Sequence, residues 1–264
     1  MKPLILLTND DGIDSPGLLA MAEAAEEFGE LLIAAPALQQ TSMGRSFPRT
    51  EKLGIIKERR LSVNGKEQLG YGIYGSPAYA VDCGVLELAE RKPDICLSGI
   101  NYGENLGTNL TCSGTVGAVL EASTHQIPGI AFSIPAAIGI QRSQEYPQVN
   151  WETAKAVVHY WTNKLLVEKE ICGAKWLNIN MPDIIPPPQE YCYTKQSSQN
   201  YFDFLKPGER DFSKRYEYKS VINYRERKLD ESDDIYAVRV KKMISVTPIL
   251  HDLTVPEMRI GFSS

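Results

Sequence analysis

Three polar residues, Asn9-Asp10-Asp11, follow directly on the apolar run Pro3-Leu4-Ile5-Leu6-Leu7-Thr8 and are closed by Gly12. An apolar run bounded by a Gly-containing polar cluster predicts a buried parallel strand that delivers polar side chains to its carboxyl end. Two adjacent carboxylates in such a place repel each other unless they share a cation, and they are hard oxygen ligands suited to Mg²⁺ or Mn²⁺. The alternative is a solvated Asx-turn before a helix. Two further polar loops are expected at strand ends: the hydroxyl-rich stretch Gln39 to Ser46, which contains Thr41 and Ser42, and Ser98-Gly99-Ile100-Asn101. Sites in open parallel sheets gather outside the carboxyl ends of the strands, so the three loops can meet. Together they offer two carboxylates, a hydroxyl and an amide oxygen, a set that leaves room for water on an octahedral ion. Such an ion acidifies bound water and shields phosphoryl oxygens, which makes hydrolysis of a phosphate ester the natural chemistry. Ser113-Gly114-Thr115 adds an anion seat if it opens a helix, because free N–H groups and two hydroxyls match a phosphate. As an ordinary helix start, Ser113 is simply a good N-cap.

Other chemistries find less support. There is no G-x-x-x-x-G-K-[ST] loop and no G-x-G-x-x-G after a strand, against an NTPase or a dinucleotide site. Ser76 and Ser113 lack a G-x-S-x-G elbow, and His125, His159 and His251 are scattered. Adjacent residues of an extended segment point in opposite directions, which makes Asp10 and Asp11 a poor acid/nucleophile pair across a glycosidic bond.

The elements that must position these loops read as alternating strands and helices. Ser15-Pro16 opens a helix with Leu18, Met21, Ala22 and Ala25 on one face, and Leu31 to Ala35 is the second strand. Leu61-Ser62-Val63 and Tyr71 to Tyr74 are expected as short strands around the Asn64-Gly65 turn. A helix from Ser76-Pro77, strands at Asp94 to Leu97 and Ile127 to Ile134, a helix capped by Asn150 and a strand at Trp176 to Asn180 complete the pattern. This is an α/β chain with a Rossmann-like, mostly parallel sheet and helices on both faces. After Pro186-Pro187-Pro188 tyrosines, charges and short alternating stretches replace that rhythm. The expected organisation is a catalytic core over residues 1–188 and a C-terminal arm or hairpin extension over 189–264. The arm has too little continuous apolar sequence for its own core, so it must pack on the main body or on another subunit.

Composition sets the outer bounds. The chain of 264 residues is 43% hydrophobic and 23% charged, ordinary globular values, and its net charge of -5 argues against a protein that coats nucleic acid. Five cysteines, an odd number with no C-x-x-C spacing, fit a reducing cytosol. No apolar stretch approaches the length of a membrane span, and the expectation is a cytoplasmic protein.

The motifs taken together resemble the SurE family, the survival-protein 5'/3'-nucleotidases. The resemblance is carried by Thr8-Asn9-Asp10-Asp11-Gly12-Ile13, Ala35-Pro36, Gly75-Ser76-Pro77, Ser98 to Gly103 with Asn105-Leu106-Gly107, and Ser113-Gly114-Thr115-Val116, in that order. Ser245-Val246-Thr247-Pro248 with Asp252-Leu253-Thr254 is similar to the family's C-terminal signature. It implies a divalent-metal phosphomonoesterase acting on nucleoside monophosphates, with metal-activated water as nucleophile, and an arm exchanged between subunits of a homodimer or homotetramer. The implied metal ligands are Asp10, Asp11, Thr41 and Asn101, with Asn9, Ser113, Gly114 and Thr115 near the phosphate and Asn9, Asp10 and Asp11 as the catalytic group. Where Thr41 stands the family usually has Ser followed by Gly, and Ser42 next door is the other candidate. Ala37-Leu38 and Tyr79-Ala80 replace the family's usual Asp-Arg and Asp-Cys. Two rival readings are a nucleotide-binding regulator without turnover and a phosphatase forming an aspartyl-phosphate on Asp10.

Overall fold

The computed structural model describes residues 2–140 and 146–252. Strand β1 (Leu4–Thr8) is buried along its whole length and separates two cores by its alternation. Ile5 and Leu7 face a cluster with Leu18, Met21 and Ala25 of helix α1 (Pro16–Ala25) and Val157, Val158 and Trp161 of helix α4 (Glu152–Glu168). Leu4 and Leu6 face the other way, onto Ala80 and Val81 of α2 (Pro77–Cys83) and Ala118 and Ala122 of α3 (Gly114–Thr124). A strand buried on both faces needs apolar residues at every position, which is why this stretch reads as a run rather than an alternation.

The remaining strands are β2 (Glu30–Pro36), β3 (Ile56–Val63), β4 (Lys66–Ile73), β5 (Ile95–Tyr102), β6 (Gly129–Ile134), β7 (Trp176–Asn180), β8 (Tyr191–Tyr193), β9 (Phe202–Phe204), β10 (Ser220–Ile222) and β11 (Ile244–Ile249). Eight of them join β1 in one nine-stranded sheet of order β3-β4-β2-β1-β5-β6-β7-β11-β8, parallel from β4 to β7. The α/β fold, the mostly parallel sheet and the helices on both faces are therefore as the pattern predicts. The chain leaves β1 in one direction to β2 and β4, then returns to β5 on its other side. The strand order thus reverses between β1 and β5, the place where crevices open in such sheets. The Asn64-Gly65 hairpin is also as expected, with both residues at positive φ, as a tight primed turn requires.

The end of the chain is built differently from the expected arm. Strand β11 returns to the central sheet, antiparallel beside β7, and β8 pairs with it at the edge. The sheet is thus not finished at residue 188, and two of its nine strands come from the segment expected as an arm. Pro248 hides β11 in the sequence. It lies past the last residue paired with β8, on the part of the strand that has a single neighbour, where a missing N–H is tolerated. What remains of the arm is the separate β9–β10 hairpin and the short helix α5 (Asp234–Tyr236), which leads through a wider helical turn into β11. Of the C-terminal signature, Leu253 and Thr254 lie outside the described residues.

Candidate active site

Asp10 and Asp11 leave the carboxyl end of β1 and are almost fully buried, at 3% and 2% exposure. Asn9 shapes the turn. Its Oδ1 accepts the Gly12 N–H at 3.1 Å and its Nδ2 donates to the Gly12 carbonyl at 3.0 Å, so the local turn considered from sequence does form. The carboxylates beside it are nevertheless not solvated. Asn9 is fully buried and its amide is spent on Gly12, which makes it a support of the loop rather than a group facing a ligand.

Helix α3 points its start at Asp10. The Thr115 hydroxyl donates to Asp10 Oδ1 at 2.7 Å, and the Thr115 backbone N–H serves the same carboxylate. Thr115, expected at a phosphate, is turned to Asp10 instead, because a carboxylate at a helix N-terminus is the nearest anion to those donors. Ser113 caps the helix as predicted, its Oγ accepting from Val116 N at 3.1 Å. Gly114 permits the close approach: a Cβ there would lie 2.8 Å from the Asp10 Cβ and 3.0 Å from its Oδ2.

The loop with Thr41 is tied down at both ends. Gln40 N donates to the Asp10 carbonyl at 2.7 Å and Gly44 N to the Cys112 carbonyl at 3.0 Å. Asn101 comes from β5, which runs on through the segment expected as a loop, with an irregular register between Ser98 and Asn101. Its Nδ2 donates to the Gly103 carbonyl at 2.5 Å, leaving the amide oxygen as the group to face an ion. Asp11 accepts the Tyr102 N–H at 3.3 Å on Oδ2, and Gln39 Nε2 approaches its Oδ1 at 3.5 Å. Asp10, Thr41, Ser42, Asn101 and Ser113 all line one cleft of about 200 Å³. Asp11 and Asn9 adjoin Asp10 in the β1 loop and Gly114 and Thr115 adjoin Ser113 at the start of α3, next to that lining.

Burial sets the electrostatics. It pushes the Asp10 carboxyl up from 3.8 to about 6, against the hydrogen bonds from Thr115. Asp11 is pushed well up by burial and then by the charge of Asp10. No cationic side chain among the described residues opposes either shift. A buried, uncompensated pair of hard oxygen ligands, with an amide and two hydroxyls across a small cleft, is a donor set that fits a divalent ion such as Mg²⁺ or Mn²⁺.

A second group of candidate ligands escaped the sequence. Asp82, Glu121 and His125 place one donor atom each within 4.8 Å of one another. Asp82 belongs to α2, Glu121 and His125 to the last turns of α3, about 10 Å or more from its start, and none lines the cleft. Glu121 pairs with Arg45 at 2.6 Å and His125 Nε2 meets Asp82 at 2.8 Å. These contacts join α2, α3 and the Thr41 loop, and they leave Glu121 already matched to a cation. The sequence also gave no sign of Asn109 or of the β9 phenylalanines at the cleft, since their placement depends on how the chain end folds back.

The chain is similar to known proteins over most of its length. The family model described as survival protein SurE matches residues 5–203. A relative from Methanocella arvoryzae, "5'-nucleotidase SurE", is 33% identical over 262 residues, covering 97% of this chain and 95% of that protein. One of the same name from Thermococcus kodakarensis is 31% identical, covering 95% and 93%. The crystal structure of the SurE protein from Aquifex aeolicus superposes with a TM-score of 0.71 at 31% identity, over 96% of this chain and 95% of that one. The chain thus resembles known proteins in sequence and fold over nearly its whole length, and it belongs to the survival protein SurE family.

Proposed function

We propose that the chain is a divalent-metal-dependent phosphomonoesterase that releases phosphate from nucleoside 5'- and 3'-monophosphates. The observation that carries this reading is the buried Asp10–Asp11 pair with no cationic partner among the described residues, placed against the start of α3. The many relatives named 5'-nucleotidase support it. A bound Mg²⁺ or Mn²⁺ supplies Lewis acidity toward the phosphoryl oxygens and toward water. Asp10 and Asp11 hold the ion, and the Asn101 amide oxygen with the Thr41 hydroxyl, or that of its neighbour Ser42, completes the protein ligands. Thr115 fixes the rotamer of Asp10, Asn9 fixes the turn, and Ser113 and Gly114 at the helix start receive the phosphate. Water is the attacking group. The test is a panel of divalent ions with AMP and p-nitrophenyl phosphate. Phosphate release with Mg²⁺ or Mn²⁺ and none in EDTA is expected; AMP binding without turnover under every ion would leave a nucleotide-binding regulator.

The assembly belongs to the same reading. Away from the cleft, the β9–β10 hairpin and the segment between its strands expose Leu205, Phe212, Tyr218 and Val221. Apolar and aromatic surface of this kind is what a partner subunit covers. A homodimer or homotetramer built through this segment is expected in sedimentation at micromolar concentration, and a monomer there would remove the proposal. No helix among the described residues is long and apolar enough to cross a membrane.

A further inference from the structure

Strand β9 carries two phenylalanines with one residue between them. Phe202 and Phe204 are two apart on an extended strand, so their rings share a side, while Asp203 between them points away and pairs with Arg227. Both phenylalanines line the cleft that contains Asp10 and Ser113, and Ile138 joins them there.

Their position is set by polar contacts. Asn109, in the turn that leads into Ser113, accepts the N–H of Tyr201 at 2.7 Å and of Phe202 at 2.9 Å through its Oδ1. Thr108 N donates to the Gln199 carbonyl at 3.0 Å, and Gly107 bridges to Asn200. The same turn therefore holds both the start of α3 and the strand with the two rings, which fixes the offset between them. Phe204 still leaves 65% of its surface exposed, and its ring neighbour Tyr218 is 5.7 Å away and tilted by 51°.

A phosphate group has no use for such a wall. We infer that Phe202 and Phe204 seat the base of the substrate, an inference that rests on the phosphomonoesterase reading of the adjoining cleft. A phenyl ring stacks on a heterocycle without reading its hydrogen-bonding edge. The wall therefore accepts all four common bases, favours purines for their larger area, and separates nucleotides from phosphate esters that lack an aromatic group. It fills a gap in the chemistry above, in which every assigned residue recognises phosphate or metal and none the remainder of the nucleotide.

The test compares kcat/KM for AMP and CMP with that for glycerol phosphate, on the full-length protein and on its Phe204→Ala and Phe202→Leu variants. The second variant keeps apolar volume and removes the ring. Loss of one stacking contact is worth about tenfold, so the nucleotide-to-glycerol-phosphate ratio should fall about tenfold in each variant, through KM for the nucleotide. An unchanged ratio overturns the inference. A protein that hydrolyses none of these esters fails the phosphomonoesterase reading instead. The base seat is then decided by adenosine titrated calorimetrically, which should bind the wild type about tenfold more tightly than Phe204→Ala; absent or equal binding overturns it.

Discussion

Asp11→Asn is expected to lower phosphate release by on the order of 10³-fold and, in the ion-free protein at neutral pH, to raise stability. The first effect follows from losing one of two charged ligands, since ion-based charge stabilisation of a transition state amounts to several kcal/mol. The second follows from burial. The Asp10 carboxyl is held near 6 in the fold against an ordinary 3.8. Below pH 3.8 it is protonated both folded and unfolded and costs nothing. Between 3.8 and 6 the folded protein binds the extra proton, so stability falls as pH rises, and above 6 the cost is complete. For Asp10 that cost is about 3 kcal/mol at pH 7. Asp11 is shifted the same way, in part by the charge of Asp10, so replacing it removes one buried charge and relieves the other. Urea melts in EDTA should show the variant more stable than wild type at pH 7.5, with the difference shrinking toward pH 4. Wild-type turnover in this variant would remove Asp11 from the ligand set.

Arg239→Ala is expected to destabilise the protein by about 3–5 kcal/mol. Arg239 lies in the helical turn before β11 and is ion-paired with Glu104, whose side chain is fully buried. It also donates to the Tyr201 hydroxyl at 2.5 Å, and that hydroxyl donates to Glu104 Oε1 at 3.0 Å. Burial pushes the Glu104 carboxyl up while the Arg239 charge opposes it, so deleting the arginine leaves a buried carboxylate without its counter-ion. Removing both charges is far milder than removing one, and Glu104→Gln/Arg239→Met should recover much of the loss. A loss below about 1 kcal/mol in Arg239→Ala would mean that the pair behaves as an exposed one. The contact joins the chain end to the Asn101–Asn105 segment at the cleft.

Local signals made most of the sheet legible. Runs such as Leu4–Leu7 and Leu31–Ala35, the Ser113 cap and the Asn64-Gly65 turn act within a few residues, and each is found where the sequence predicts it. The meeting of Asp10, Thr41, Asn101 and Ser113 at one cleft was legible too, since Asp10 and Thr41 follow strands, Asn101 lies at the carboxyl end of β5 and Ser113 opens a helix. What escaped depends on long-range closure. β11 contains a proline and has one neighbour over half its length, and β8 is three residues long, so neither carries a strand signal of its own. Asn9 and Thr115 are polar residues of the right type whose hydrogen bonds go to Gly12 and Asp10, partners that only the folded loop supplies. The Asp82–Glu121–His125 contact and the β9 wall arise in the same way, from residues far apart in sequence.

Calorimetric titration of Mn²⁺ into the chelator-stripped protein at pH 7.5, side by side with Asp11→Asn, reads the proposed centre directly. The prediction is one site per chain in the wild type and no measurable binding in the variant. Equal Mn²⁺ binding by both proteins would place the ion away from the Asp10–Asp11 pair and contradict the account.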